Sequence, residues 1–121
     1  MSSPNYPGKY PDDLERTEMI QVEKGKVLRL EFTQFKVYYH CRDYVQITDG
    51  NGTALMGKSC GHSTASPMSW VHFTPPIVTT LTNMVDVYFY TDYRYNDYGW
   101  SLNWTAVTPG LMSKTSLSLH C

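Results

Sequence analysis

The sequence predicts an all-β fold, an antiparallel sandwich, and three observations carry that prediction. Polar and apolar residues alternate over several short stretches, the pattern of strands that bury one face. Clusters of Gly, Pro, Asn and Asp separate those stretches, and no long stretch carries helical periodicity. Charged residues make up only 17% and aromatic residues 14%, ten of them Tyr, a composition that suits an extracellular β domain. At 121 residues the chain is expected to form one domain with a modest core.

Residues 1–13 (MSSPNYPGKYPDD) hold three prolines and a glycine, which exclude a helix or a central strand. With Tyr6 and Tyr10 interleaved, they read as an ordered turn segment. Residues 17–22 form the first strand candidate, with Ile20 and Val22 on one face, and residues 23–26 (EKGK) a polar turn. Residues 27–32 alternate cleanly, Leu28, Leu30 and Phe32 inward, Arg29 and Glu31 outward. Residues 35–40 read as a loop or strand end. Residues 44–48 (YVQIT) read as a half-buried strand, and Asp49-Gly50-Asn51-Gly52 supplies the positive φ angles of a hairpin turn. Residues 54–57 return from it towards Ser59 and Cys60.

The second half is read in the same way. Residues 61–67 are a polar stretch, and residues 69–73 (SWVHF) a strand stopped by Pro75-Pro76. Residues 77–80 give a short strand and Asn83 a turn. Residues 85–91 place Val85, Val87 and Phe89 inward, and Asp86, Tyr88 and Tyr90 outward. A polar, aromatic loop runs from Asp92 to Gly99. Residues 100–107 close the domain, with Trp100, Leu102 and Trp104 on one inward face and Asn103 on the other. Residues 108–121 lack charge and pattern and read as a tail after a domain of residues 1–107.

A net charge of −1 gives no basic field to hold nucleic acid or an acidic membrane. No apolar run is long enough to span a bilayer, and no secretory core follows Met1, so the chain reads as a mature piece or one whose signal lies upstream. Three cysteines is an odd number. A bond between Cys41 and Cys60 would close a loop of about 19 residues around the hairpin, worth about 3 kcal/mol on the chain-entropy view, and would leave Cys121 free or for another chain. The alternative is a reduced protein with three inert thiols. Two N-glycosylation sequons, Asn51-Gly52-Thr53 and Asn103-Trp104-Thr105, favour the oxidising compartment. His40, His62, His72 and His120 show no zinc-ligand spacing. Ser59, Ser63, His62 and Asp43 lie near one another without a turn that would present a nucleophile, so no catalytic residue is assigned.

Taken together, S-P-N-Y-P with the later Y-P at residues 10–11, C-R-D-Y-V-Q-I-T-D-G from Cys41, G-K-S-C-G around Cys60, F-Y-T-D ending at Asp92 and G-W-S-L-N-W from Gly99 resemble the CUB domain. The resemblance covers residues 3–107. It implies a secreted, jelly-roll-like β-sandwich that binds an extracellular protein or glycan, is not itself catalytic, and forms part of a larger secreted or receptor protein. The alternatives it leaves are a carbohydrate-binding lectin of the sperm-coating type and an accessory domain of an extracellular protease. The family's usual N-terminal strand and first cysteine are absent before Ser3, which implies Cys41–Cys60 as the remaining disulfide and an exposed sheet edge.

Many CUB domains hold calcium through a Glu, two Asp and a supporting Tyr. The matching positions here are Tyr10, Asp43 and Asp92, whereas the Glu position falls near Tyr38 and no carboxylate occurs between Phe32 and Arg42. Tyr93 and Arg94 stand where small polar ligands are expected. The resemblance therefore leaves two readings: calcium at a degenerate site, or no cofactor, the carboxylates facing Arg42, Arg94 and Lys36 with an Asp43–Arg94 contact in place of metal. It also brings the two aromatic loops to one end, which makes Tyr38, Tyr39, Tyr93, Arg94, Tyr95 and Tyr98 the expected partner surface.

Overall fold

The computed structural model describes residues 1–63 and 71–109. Among them the regular elements are eight strands: β1 Glu15–Gln21, β2 Val27–Val37, β3 Tyr44–Asp49, β4 Ala54–Ser59, β5 Gly61–His62, β6 Val78–Thr79, β7 Met84–Tyr90 and β8 Gly99–Val107. One sheet has the order β1-β7-β3-β4. The other is built on β2, with β8 along one edge and the short β5 and β6 along the other. Every strand pair is antiparallel, so the expected sandwich is the fold.

Alternation decides what each strand gives to the core. Val85, Val87 and Phe89 of β7 are buried, as are Val45 and Ile47 of β3, and they meet Leu28, Leu30, Phe35 and Val37 of β2 with Trp100 and Leu102 of β8. The apolar parity of β2 changes between Phe32 and Phe35. A bulge in the β2–β8 register between Phe32 and Gln34 absorbs the extra residue, so β2 continues to Val37 instead of ending in a loop. Asp49 closes the β3–β4 turn. Burial alone would raise its carboxyl, but donors from Asn51 N, Leu81 N, Thr82 N and the Thr82 hydroxyl hold it below the usual range.

Three expectations need correction. Residues 71–73 form no strand: His72 makes one isolated bridge to His62, and Ser69 and Trp70 lie outside the described residues. Trp104 is 42% exposed, because β8 is an edge strand whose residues from Asn103 to Ala106 all face solvent. The sheet edge expected to be bare is occupied along Trp100 to Leu102 by the first three residues. There Ser3 N donates to Trp100 O at 2.9 Å and Leu102 N to Met1 O at 2.8 Å. The close approach needs Gly99, whose φ is +91° and where a Cβ would fall inside the Ser3 hydroxyl. Cys121 and residues 110–120 of the tail lie outside the described residues.

Candidate functional site

The site lies where three connections meet: residues 38–43 between β2 and β3, residues 91–98 between β7 and β8, and the turn segment around Tyr10. Tyr10 has no exposed surface, and its ring stands edge-on to Phe89 with centroids 5.0 Å apart. Its hydroxyl donates to Asp43 Oδ2 at 2.7 Å and accepts from Tyr38 N at 3.1 Å. The other oxygen of Asp43 accepts from Asp92 N at 2.9 Å. One buried phenol–carboxylate pair thus ties the three segments together, with both ends of each contact satisfied.

Further contacts fix the 91–98 loop from below. Asn96 Nδ2 donates to Tyr10 O at 2.9 Å, Tyr10 N donates to Asp97 O at 3.1 Å, and His62 Nε2 donates to Asp97 Oδ2 at 2.6 Å. Cys41 and Cys60 form a disulfide with their Cα atoms 5.1 Å apart, which binds the 38–43 loop to the end of β4. The site is therefore braced on every side. Asn96, Asp97 and the His62 contact had no sequence signal beyond sitting in polar stretches.

Burial pushes the Asp43 carboxyl up to about 6, with the neighbouring Asp92 carboxylate adding to the rise, while the Asp92 amide and the Tyr10 hydroxyl partly oppose it. Burial, together with Asp43, also raises the Tyr10 phenol far above its usual range, so it remains a donor. The expected Asp43–Arg94 contact does not form. Asp43 is fully buried with both oxygens engaged, and the ion pair that does form joins Arg42 to Asp92 across 4.0 Å.

At the surface, Tyr38 and Tyr95 stack with centroids 5.1 Å apart and planes 13° from parallel. Tyr39 packs on Tyr38 at 4.9 Å and on His40 at 4.3 Å. The Arg94 guanidinium lies 5.2 Å from the centroids of both Tyr93 and Tyr95. Tyr98 stands apart from this stack, with the Lys9 and Lys36 ammonium groups 5.6 and 5.8 Å from its ring. Tyr93 and Tyr95 expose 63% and 54% of their surface. Of the expected surface residues, the structure brings Tyr38, Tyr39, Tyr93, Arg94 and Tyr95 into one cluster and leaves Tyr98 beside it.

The donor set present is thin for calcium: Asp43 and Asp92 supply two carboxylates, Asp92 also faces the Arg42 guanidinium at 4.0 Å, and no carboxylate stands between Phe32 and Arg42. Calcium takes six to eight oxygen ligands, several of them anionic. Of the residues that lie close in sequence, the Ser59 hydroxyl donates to Gly57 O, the Ser63 hydroxyl accepts from Phe35 N, and His62 is on Asp97, so these described residues do not assemble a hydrolytic arrangement.

A family model for the CUB domain matches residues 1–104. Cubilin from Rattus norvegicus is 30% identical over 110 residues, covering 88% of this chain and 3% of cubilin. Complement C1r-B subcomponent from Mus musculus is 35% identical over 114 residues, covering 89% of this chain and 14% of that protein. The chain thus spans a small part of the curated relatives it matches. Among solved structures, the CUB1-EGF-CUB2 domain of human MASP-1/3 superposes with a TM-score of 0.77 at 25% identity, over 94% of this chain and 43% of that one. A MASP-1 CUB2 domain described as bound to Ca2+ superposes with a TM-score of 0.68 at 25% identity, over 86% of this chain and 88% of that one.

Proposed function

The chain belongs to the CUB domain family, and from that premise we propose that it is a non-catalytic, protein-binding module of a larger secreted or receptor protein. Its partner surface is the aromatic end built by Tyr38, Tyr39, Tyr93, Arg94 and Tyr95, with Tyr98 at its margin. The setting is extracellular, as the disulfide and the relatives agree.

The observation that carries the reading is the exposed Tyr95 ring stacked on the half-buried Tyr38, which stands on a buried hydrogen-bond network. Tyr and Arg give large, rigid, partly polar contact area at little entropic cost, the composition of binding hot spots. The sequons are consistent with this use. Asn51 and Asn103 are both exposed, and the Asn51 side chain accepts from Thr53 N at 2.9 Å. Asn51 follows β3 whereas the aromatic loop precedes it, so a glycan there would stand a strand's length, roughly 20 Å, from the partner surface. We read both as glycan acceptors.

The test is a screen of the purified chain against arrays of extracellular proteins and of glycans, repeated with Tyr95→Ala. Protein hits are expected, and the variant should lose at least tenfold in affinity, the order of a buried aromatic anchor, with an unchanged melting temperature. Binding to glycans alone, or protein binding that Tyr95→Ala leaves intact, would refute the reading.

A further inference from the structure

We propose that the cleft beside the tyrosine stack selects an anionic partner group, the side-chain carboxylate of an acidic peptide segment. This rests on the aromatic end being the partner surface, and it names the chemistry that surface recognises. The cleft has a volume of about 390 Å³ and is lined by Tyr38, His40, Arg42, Arg94 and Tyr95. Among the described residues no carboxylate lines it.

The charges near the cleft are unevenly matched. Arg94 makes no ion pair among the described residues; its guanidinium is held only between the Tyr93 and Tyr95 rings. Arg42 has a side chain that is 53% exposed, and its one ion-pair partner among the described residues is Asp92, 4.0 Å away and 13% exposed. Asp92 already accepts from Arg94 N, and Asp43 lies wholly buried with both oxygens used. What reaches solvent is therefore two guanidinium groups and an imidazole against tyrosine walls. Planar guanidinium forks match a carboxylate in two-point geometry, and stacking on tyrosine fixes the fork of Arg94 before a ligand arrives.

The same surroundings disfavour a long polyanion. Asp97 and Asp12 interrupt this end, Asp97 on His62 and Asp12 beside Asn96, and the chain as a whole carries a net charge of −1. A sulfated polysaccharide needs a continuous basic track and would meet these carboxylates. A single acidic side chain, or a short run of them, fits the space and the charge.

The experiment is a titration of the ¹⁵N-labelled chain, followed by amide chemical shifts. The probes are an acetylated and amidated Gly/Glu hexapeptide, its Gly/Lys counterpart and a heparin-derived hexasaccharide. The expected result is saturable movement of Tyr38, Arg42, Arg94 and Tyr95 with the Glu peptide alone, weakened at least fivefold by Arg42→Gln and by Arg94→Gln. Arg94→Lys, which keeps the charge and loses the fork, should fall between. Unchanged amide spectra elsewhere identify variants that still fold. No localised movement with the Glu peptide, equal movement with the Lys peptide, or tighter binding of the hexasaccharide would each overturn the proposal. If Tyr95→Ala abolishes capture of a protein partner while the Glu peptide moves nothing, the partner surface stands and its acidic preference falls. If the Glu peptide binds at the arginines but Tyr95→Ala leaves capture intact, the cleft is an anion site and the partner surface lies elsewhere.

Discussion

Replacing Asp43 with alanine is expected to lower stability by about 3 kcal/mol at pH 5, and by less at pH 7. The truncation strands the buried Tyr10 hydroxyl and the part-buried Asp92 amide, each costing about 1–3 kcal/mol when left without an acceptor. At pH 7 part of that loss is offset, because the wild-type chain there carries a buried ionised carboxylate. The folded-state value of Asp43 is pushed up to about 6 from 3.8, so the folded chain holds a proton where the unfolded chain has released it. Its contribution is full below the unfolded value and is lost as pH rises through the folded one. The slope amounts to about 1 kcal/mol between pH 5 and pH 7. Asp43→Asn still accepts from the Asp92 amide and removes the titration, so its stability should be flat over that window. Urea unfolding of the three proteins at the two pH values checks both statements; an equal slope in Asp43→Asn would show that another group is responsible. Asp49 works in the opposite direction, being held below 3.8, and its contribution is lost only in stronger acid.

The second large effect belongs to the disulfide. Replacing Cys41 and Cys60 together with serine should cost about 3 kcal/mol, because the bridge closes a loop with a sequence separation of 19. For a domain of this size that is a fall of roughly 10 °C or more in melting temperature. The loss should not be confined to global stability. The bridge pins the 38–43 loop at Cys41 between the two ends that Tyr10 holds, Tyr38 and Asp43, so without it the backbone amides of Tyr38 to His40 should exchange with deuterium faster than those of β7. Calorimetry and hydrogen exchange measure the two effects separately. A melting temperature within about 2 °C of wild type would mean that the bond adds nothing the sandwich does not already supply.

Much of the fold was legible because period-two alternation and turn chemistry are local. Residues 27–32, 44–48 and 85–90 could be assigned from their own pattern, and the D-G-N-G turn announced its hairpin. The failures share one cause, which is that the deciding partner is distant in sequence. The parity change at Phe32 and Phe35 looks like the end of a strand until β8 is seen to accommodate a bulge. Trp104 follows Trp100 and Leu102 in phase, but position in the sheet, not phase, exposes it. The site was legible in membership more than in wiring. Tyr10, Asp43 and Asp92 could be named by resemblance, yet that Asp43 would exhaust both oxygens on Tyr10 and the Asp92 amide depended on contacts 33 and 49 residues away. Charge counting suggested Arg94 as the partner of Asp43; depth of burial reassigned the pairing to Arg42 and Asp92.

The aromatic end is held by its own hydrogen bonds and a guanidinium, and on the proposed reading no metal is needed to shape it. Calcium titration of the ¹⁵N-labelled chain, after treatment with EDTA, checks this. Extracellular modules that bind calcium do so with dissociation constants of roughly 10⁻⁴–10⁻³ M, which at 10 mM calcium would add about 1.4–2.7 kcal/mol of stability. The expected result is no saturable movement of the Asp43, Asp92 or Tyr10 amides up to 10 mM calcium, and no rise in melting temperature. Saturable movement of those three amides, accompanied by stabilisation of that size, would contradict it.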